Sequence, residues 1–554
     1  MLLYPRVDGG STARFMSKIA RYLQEHLEGE VTSSLEARRY FSTDRSVLRI
    51  LPAVVAYPAS QEDVRKICRF SWQLAEKGHK LPITARGGGS DTSGAAIGSG
   101  IVAVFGPHLN RILSLDARHG QVVVEPGLGA STLQQTLYTH GQFLPSVPPK
   151  TNSTIGGAIA NNASSEKSVK YGATANYIDK LSVVLANGES IEAGPLNKQG
   201  LSLKLGQSNF EGEIYRQLDT LLEENADVIA HSRQKFDHLP RNVAGLNIFD
   251  VASGGSFNLV PLLAGSQGTL GIITQAHLKL ELHNPAVGMA LVSLGRSSRL
   301  EKLLPQICQL GPSDCELLTR GVLEEIAAIV PGYLGKILDQ SQAAVYVLVE
   351  FNDKHATKSL EALHGLVEEV GGDCRTTNSL EEENSLRHLF AATANLSLRT
   401  SSRKAYLPAA DVAVPVENLA GLIGKLTQLG KEADVAPNIT GHAGEGIISI
   451  HPALDLSNLG DRQKLFKLTT AAYDMAIAAG GTPSAGSGDG RLRTAKLEKM
   501  YGKKIYTLMV AVKKIFDPHD ILNPGVKFGT TEREVKMLLN STYSPHNRYE
   551  TLSF

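Results

Sequence analysis

Three glycine-rich segments carry the most suggestive chemistry in this sequence. The first is Arg86-Gly87-Gly88-Gly89-Ser90-Asp91-Thr92-Ser93-Gly94. Consecutive glycines accept positive φ and let backbone N–H groups converge on one anion, and the hydroxyls of Ser90, Thr92 and Ser93 add donors. The second runs from Thr154 through Gly156 and Gly157 to Asn161 and Asn162. The third runs from Gly265 through Gly268, Thr269 and Gly271 to Ile273 and Thr274. One such loop is an ordinary tight turn. Three of them, each following an apolar strand, point to a large phosphate-bearing cofactor. No GxGxxG follows the first strand with an acidic residue about 20 positions on, and no GxxxxGK[ST] occurs, so a Rossmann or P-loop nucleotide site has little support.

The second half of the chain offers a different set: His442, Glu445, His451, Asp489, Arg491 and Arg493, with Arg399, Arg403 and Lys404 upstream. An arginine can clamp a carboxylate bidentately. Asp411 to Pro415 reads as a structural strand. The four cysteines (Cys68, Cys308, Cys315, Cys374) form no CxxC pair, which argues against a disulfide framework, an iron–sulfur cluster or a structural zinc. A net charge of +1 favours neither nucleic acid nor an anionic membrane as partner. MLLYPRVDGGSTARF lacks the apolar run of a signal peptide, and no stretch of about 20 apolar residues occurs, so the expectation is cytoplasmic residence without a membrane span.

These residues need elements to hold them. The chain of 554 residues is too long for one core, and length suggests about three units or subdomains. Residues 1–50 read as a helical lead-in. Leu51–Pro58, Leu81–Arg86, Gly100–Phe105, Gln121–Glu125 and Leu181–Leu185 read as short strands, the last followed by an Asn187-Gly188 hairpin turn. Ser60 is a good N-cap for a helix reaching about Lys77, with Asp63 as its capping-box partner. A second unit begins near 285. Strands at 290–294, 344–351, 411–415 and 447–451 alternate with helices at 299–309, 355–370 and 459–479, which reads as a sheet covered by helices on one face. The fold class is α+β.

The ordered set Tyr40-Phe41-Ser42-Thr43-Asp44, RGGGS at 86–90, VEPG at 124–127, TIGGAIANN at 154–162, KYG at 170–172, GSQGTLGIIT at 265–274 and ILNPG at 521–525 resembles the vanillyl-alcohol oxidase / p-cresol methylhydroxylase flavoproteins. Within them it is most similar to the branch of D-lactate dehydrogenase (cytochrome) and the glycolate oxidase D subunit. The resemblance covers roughly 35–530. It implies a lead-in over 1–48, a two-subdomain PCMH-type FAD-binding domain over 49–283, an FAD-linked oxidase C-terminal cap over 284–530 and a tail over 531–554. It further implies that Arg86, Gly87, Gly88, Gly89 and Ser90 bind the pyrophosphate, that Pro126 and Gly127 line the adenosine side, and that Gly156, Gly157 and Asn161 lie along the cofactor. Gly265, Gly268, Thr269 and Ile273 complete the nucleotide site, and Asn523 approaches the isoalloxazine. Some members attach FAD through a histidine in the first loop. Ser90 and Asp91 stand there here, so noncovalent FAD is expected.

The cap departs from the family. The pattern GHxGDGNxH, whose histidines bind a divalent metal, maps onto 441–449: His442 is kept and Ser449 holds the second place. His451 lies two residues on, a displacement of about 7 Å along a strand. The pattern SGEHGxG maps onto 484–490, with Gly486 in the glutamate ligand's place and Ser487 in that of the histidine base. One retained ligand will not hold zinc or manganese well, so no metal is expected. The trailing GDGRLR resembles the large FAD- and iron–sulfur-containing hydroxy-acid dehydrogenases, without their cysteine-rich domain. The catalytic candidates are His442, Ser487 and Arg403. The resemblance implies an FAD-dependent oxidoreductase acting on CH–OH groups, with a D-lactate- or glycolate-like 2-hydroxy acid as substrate. The electron acceptor would be a quinone, a cytochrome, a partner redox protein or oxygen, and membrane contact would be peripheral through a partner. The alternatives are metal-independent oxidation of another alcohol, sugar or amine, and a non-catalytic flavin-binding subunit of a larger redox complex.

Overall fold

The computed structural model describes residues 17–148, 152–284, 288–327, 342–393, 400–401 and 404–543. A four-stranded sheet comes first: β1 (Glu30–Thr32), β2 (Val54–Tyr57), β3 (Ile83–Arg86) and β4 (Ile101–Val104), in the order β1-β2-β4-β3. Strand β4 pairs in parallel with β2 and β3, and β1 runs antiparallel to β2. The parallel strands VVAY and IVAV are buried at every position, as strands covered on both faces must be. The lead-in is therefore not wholly helical: β1 lies inside it, paired with β2 over Val55 to Tyr57.

Helix α1 (Gln61–Glu76) covers this sheet through Val64, Ile67 and Cys68. Ser60 caps it as expected, accepting from the Asp63 amide at 3.3 Å. Asp63 does not close a capping box. Its buried carboxylate accepts instead from the amides of Glu28, Gly29 and Ala59, and so fastens the lead-in to the helix start.

The second sheet is antiparallel: β5 (Ile112–Asp116), β6 (Gln121–Val124), β7 (Ile178–Val184), β8 (Ser190–Ala193) and β9 (Ile272–Lys279), in the order β5-β6-β9-β7-β8. Strand β9 alternates buried and part-exposed side chains, the period-2 pattern of a sheet with one core face. The Asn187-Gly188 turn joins β7 to β8, with Val184 opposite Ser190. Val184 and Ile272 pack into the core of the first sheet, so the two sheets form one body.

The third sheet has seven strands, all antiparallel: β10 (Gly288–Leu294), β11 (Asp314–Thr319), β12 (Val345–Phe351), β13 (Asp373–Thr376), β14 (Ala410–Ala413), β15 (Ile439–His442) and β16 (Ile447–Ile450), in the order β13-β10-β12-β11-β15-β16-β14. Leucines, alanines and valines of Leu300–Gln309, Ala356–Glu369, Leu419–Glu432 and Leu459–Ala478 cover one face. The other face is also covered. Met289, Leu291, Tyr346 and Leu348 pack against Arg320–Ala327 and Leu380–Ala392. A strand such as VYVLVEF, apolar at both parities, needs cover on both sides.

The chain then returns to the first body. Leu497, Ile505, Met509 and Phe516 pack into the core of the second sheet. Ile521 to Asn523 lie beside β3, where the Ile83 amide donates to Ile521 O at 2.7 Å and the Asn523 amide to Ile83 O at 2.8 Å.

Candidate functional site

The RGGGS loop leaves β3 under steric constraint. A Cβ at Gly87 would stand 2.1 Å from Thr154 Oγ1, and one at Gly88 would stand 1.6 Å from Asn152 O. Only glycine lets this loop lie against the segment before the TIGG helix. The Arg86 side chain folds back against the loop, so close that a Cβ at Gly89 would stand 2.2 Å from its Nη2. Its Nη1 donates to Thr43 O at 2.9 Å and Ala96 O at 3.1 Å, with the guanidinium over the Phe41 ring. Arg86 thus braces the loop with the YFSTD segment. Among the described residues, no backbone N–H from Gly87 to Thr92 finds a protein acceptor. Six successive unpaired amides beside a cavity form an anion-binding concavity.

The cavity, together with the open solvent at its entrance, spans about 1100 Å³. Its walls bring together Arg86, Gly87, Gly88, Gly89, Ser90, Pro126, Gly156, Gly157, Asn161, Gly268 and Ile273, and Ser487 reaches it from the second unit. Four expected cofactor residues lie elsewhere. Gly127 is in the turn after β6, where a Cβ would strike Phe105 O at 2.4 Å. Gly265, at φ +85°, lines a separate cavity together with Asn162. Thr269 is fully buried, its hydroxyl donating to Ser266 O at 2.7 Å. Asn523 is also buried. Its Nδ2 donates to Ala95 O at 2.9 Å and Gln267 O at 2.8 Å, while Oδ1 accepts from Thr84 at 3.1 Å. These four shape the loops from behind.

Two lining residues escaped the sequence reading. Gln267 sits at positive φ and joins all three glycine segments. Its Nε2 donates to Ser93 Oγ, Asn161 Oδ1 and Ser487 O, and its Oε1 accepts from the Gly490 amide at 2.8 Å. The one available sign was that it is the only long polar side chain in GSQGTLG. Asp91 is an acid in an anion cradle, yet its lone pairs are occupied: the Ser93 and Ala95 amides donate at 2.9 Å and Asn161 Nδ2 at 3.2 Å. It therefore shapes the loop. Nearby, burial and then the Asp91 charge push the Asp44 carboxyl up to about 6.

The substrate end gathers from both units. Ser487 Oγ accepts from Thr92 Oγ1 at 3.0 Å, and the Gly486 and Ser487 amides donate to Asp411 Oδ2 at 3.1 and 2.7 Å. Asp411 is thus more than a strand residue. His442 ends β15 outside the cavity lining, with Nδ1 bonded to Glu316. Burial disfavours its charge, but Glu316, Glu445 and Glu166 outweigh that and lift its pKa to about 9, so it is an imidazolium at neutral pH. Glu445 is buried beside it, with Oε2 unpartnered. Its carboxyl is raised above the ordinary range by burial, against the opposing pull of Arg241 and His442. His451 lies past the end of β16, its Nε2 3.1 Å from Thr440 Oγ1. Arg399 and Arg403 lie outside the described residues.

The GDGRLR segment is committed to structure. Asp489 pairs with Lys527 at 2.7 Å, both fully buried, and accepts the Gly245 amide. Arg491 donates to Gly94 O and Pro524 O, and Arg493 to Gly488 O.

These residues fit FAD: a cavity lined by all three glycine segments, a row of amides without a protein acceptor for a pyrophosphate, and Pro126 and Ile273 as apolar wall. They do not fit the metal of the cap motifs. Gly486 and Ser449 offer no ligand, His442 Nδ1 is engaged by Glu316, and no group of three metal-ligating side chains occurs among the described residues.

Residues 52–194 match the FAD binding domain and residues 298–526 the C-terminal domain of FAD-linked oxidases. D-2-hydroxyglutarate dehydrogenase of Escherichia coli (strain K12) is 27% identical over 523 residues, 91% of this chain and 50% of that protein. The chain thus spans about half the length of that relative. Glycolate oxidase subunit GlcD of Bacillus subtilis (strain 168) is 24% identical, over 87% of this chain and 90% of that one. In fold, the chain is similar to 4-ethylphenol oxidase from Gulosibacter chungangensis, with a TM-score of 0.66 at 15% identity, covering 94% of this chain and 99% of that one.

Proposed function

The chain belongs to the FAD-linked oxidases with a PCMH-type cofactor domain, and from that premise we propose that it oxidises a 2-hydroxy acid of the D-lactate, glycolate or D-2-hydroxyglutarate kind. The observation that carries this reading is the meeting, at one cavity, of the unpaired amides from Gly87 to Thr92 with Ser487 of the second unit. When bound, FAD supplies a two-electron acceptor for the substrate hydride.

The residues of the chain divide the remaining work. The loop amides hold the pyrophosphate noncovalently, and Gly156, Gly157, Asn161, Gly268 and Ile273 wall the cofactor. Gln267 ties Ser93, Asn161 and Ser487 together at the cavity wall. Ser487 and Thr92 offer paired hydroxyls to the substrate. The family's base position is held by Ser487, at the cavity, while Glu445, a buried carboxyl raised above its ordinary range with an unpartnered Oε2, lies outside the cavity lining beside His442. His442, already protonated, contributes positive charge. Arg403 stays a candidate carboxylate clamp. The domain limits at 49–283 and 284–530 belong to the same proposal, as do a small-molecule substrate and a quinone, cytochrome, partner protein or oxygen as acceptor. No helix among the described residues is long and apolar enough to cross a membrane.

The test is anaerobic mixing of the flavin-loaded protein with a panel of 2-hydroxy acids. Bleaching of the visible flavin bands by at least one is expected; no bleaching across the panel contradicts the reading. Gly486 and Ser449, in the place of metal ligands, favour chemistry without a metal. Unchanged turnover in chelator is the expected companion result.

A further inference from the structure

Strand β14 is the last strand of the third sheet, and the segment that carries Ser487 meets it at one point. There the Ala413 amide donates to Thr482 O at 3.1 Å and the Thr482 amide to Ala413 O at 2.8 Å. Beyond Thr482 the segment leaves the strand, and Ser484 O accepts the Val243 amide of the first unit at 3.2 Å. Asp411 stands two residues back along β14, and its side chain reaches the segment where the strand's backbone no longer does. Its Oδ2 alone accepts the Gly486 amide at 3.1 Å and the Ser487 amide at 2.7 Å. Successive amides converging on one oxygen form the kind of nest that binds a free anion. Here the anion belongs to the chain and is buried, 6% exposed.

Gly486 and Ser487 line the cavity, whereas Asp411 does not. Asp411 therefore touches only the backbone of the wall. Arg241 Nε donates to Ala485 O at 3.3 Å and Gln267 Nε2 to Ser487 O at 3.2 Å, so the other hooks on this stretch are longer. Bonds to an ionised acceptor are about twice as strong as neutral ones. With its backbone held in this way, Ser487 turns its hydroxyl to Thr92 Oγ1, 3.0 Å away in the first glycine loop. Displacing a reacting or orienting group by about 1 Å costs on the order of 100-fold in rate.

We infer that Asp411 is the positioning residue for Ser487: through the amides of Gly486 and Ser487, its carboxylate oxygen sets the cap's share of the cavity wall. Its consequence for turnover rests on the reading of the chain as a hydroxy-acid oxidoreductase. Its consequence for the wall, and so for flavin retention, does not.

The test uses the full flavin-loaded chain with two readouts: the limiting rate of anaerobic bleaching by the most active acid of the panel, and the rate of flavin release on dilution. Asp411→Ala should bleach about tenfold more slowly and release flavin several-fold faster. Asp411→Asn keeps an acceptor oxygen in place and should stay within about threefold of wild type in both. Asp411→Glu keeps the charge but moves the oxygen by one methylene, and should fall with Asp411→Ala. A residue that merely balances the charge of Arg493, whose Nη2 lies 4.0 Å from Asp411, would give the reverse order. Ser487→Ala should also bleach slowly, and adding Asp411→Ala to it should cost less than about threefold more. The inference is overturned if Asp411→Glu outperforms Asp411→Asn, if Asp411→Asn is as impaired as Asp411→Ala, if the Asp411 variants all match wild type, or if the two losses multiply in full. If Asp411→Ala does not fold, the order of Asp411→Asn and Asp411→Glu decides. If no acid bleaches wild type, the proposed reaction is refuted, and that same order in flavin release decides the inference alone.

Discussion

Lys527 and Asp489 are fully buried and bonded to each other, with the Gly245 amide as a third partner. Removing one charge strands the other. Asp489→Asn should lower unfolding free energy by about 3–5 kcal/mol, read from a shifted denaturant midpoint. A loss under about 1 kcal/mol would mean that Lys527 finds another partner. His442 makes a pH-dependent contribution. Its folded pKa is raised from the ordinary 6.5 to about 9, as its carboxylate neighbours outweigh burial. That stabilisation is complete below about 6.5 and is lost as pH rises through about 9. The melting temperature of wild type should therefore fall between pH 6.5 and 9 more steeply than that of Glu316→Gln. Equal slopes would refute the pairing. At this scale the sequence was only half legible. The cap motifs brought forward His442 and Ser487, of which Ser487 reaches the cavity, but Asp489, Arg491 and Arg493 look like a substrate clamp until their partners are known. Lys527, Gly94 and Pro524 are far away in sequence, and spacing carries no sign of them. Arg241 went unnoticed for the same reason, because it joins Asn162 to Ala485 across the fold.

The glycine loops are the elements on which the cofactor reading stands, and their glycines are unequal. Gly88→Ala would set a methyl 1.6 Å from Asn152 O, so the loop must move and its amides diverge. Its flavin-to-protein absorbance ratio after purification should fall several-fold. Gly295→Ala, with nothing within 4 Å, should match wild type. A full complement of flavin in Gly88→Ala would remove the loop from the cofactor site. The strands were easy to read because alternation and valine-rich runs report burial directly, as in β2, β4 and β12. The failures lie where an element answers to a distant one. Strand β1 hides in the lead-in because its partner is β2, and Asp63 serves the amides of residues 28 and 29 rather than its own helix. Gly127, Gly265, Thr269 and Asn523 belong to the right motifs and turn their backs to the cavity. A motif marks a loop, and only packing decides which face of it meets the ligand.

On the scale of the whole molecule, the cavity closes where the two units meet, so their junction matters to function. Lys167 of the first unit pairs with the buried Glu350 of β12, which also holds Arg387 at 2.8 Å, and Lys170 donates to Asn352 at 2.6 Å. Lys167→Met leaves Glu350 with Arg387 and the Ser313 hydroxyl. The cost should be about 1–3 kcal/mol, and it should separate the calorimetric transitions of the two units. A single unshifted transition would show that the pair does not couple them. The molecule is built around FAD, and Ser90 and Asp91 stand where a histidine would tether it covalently. The most direct measurement is the visible spectrum of the purified chain before and after acid precipitation. Oxidised-flavin bands should be present in about one equivalent and pass wholly into the supernatant. Protein that neither carries flavin nor takes it up on addition of FAD would contradict the account.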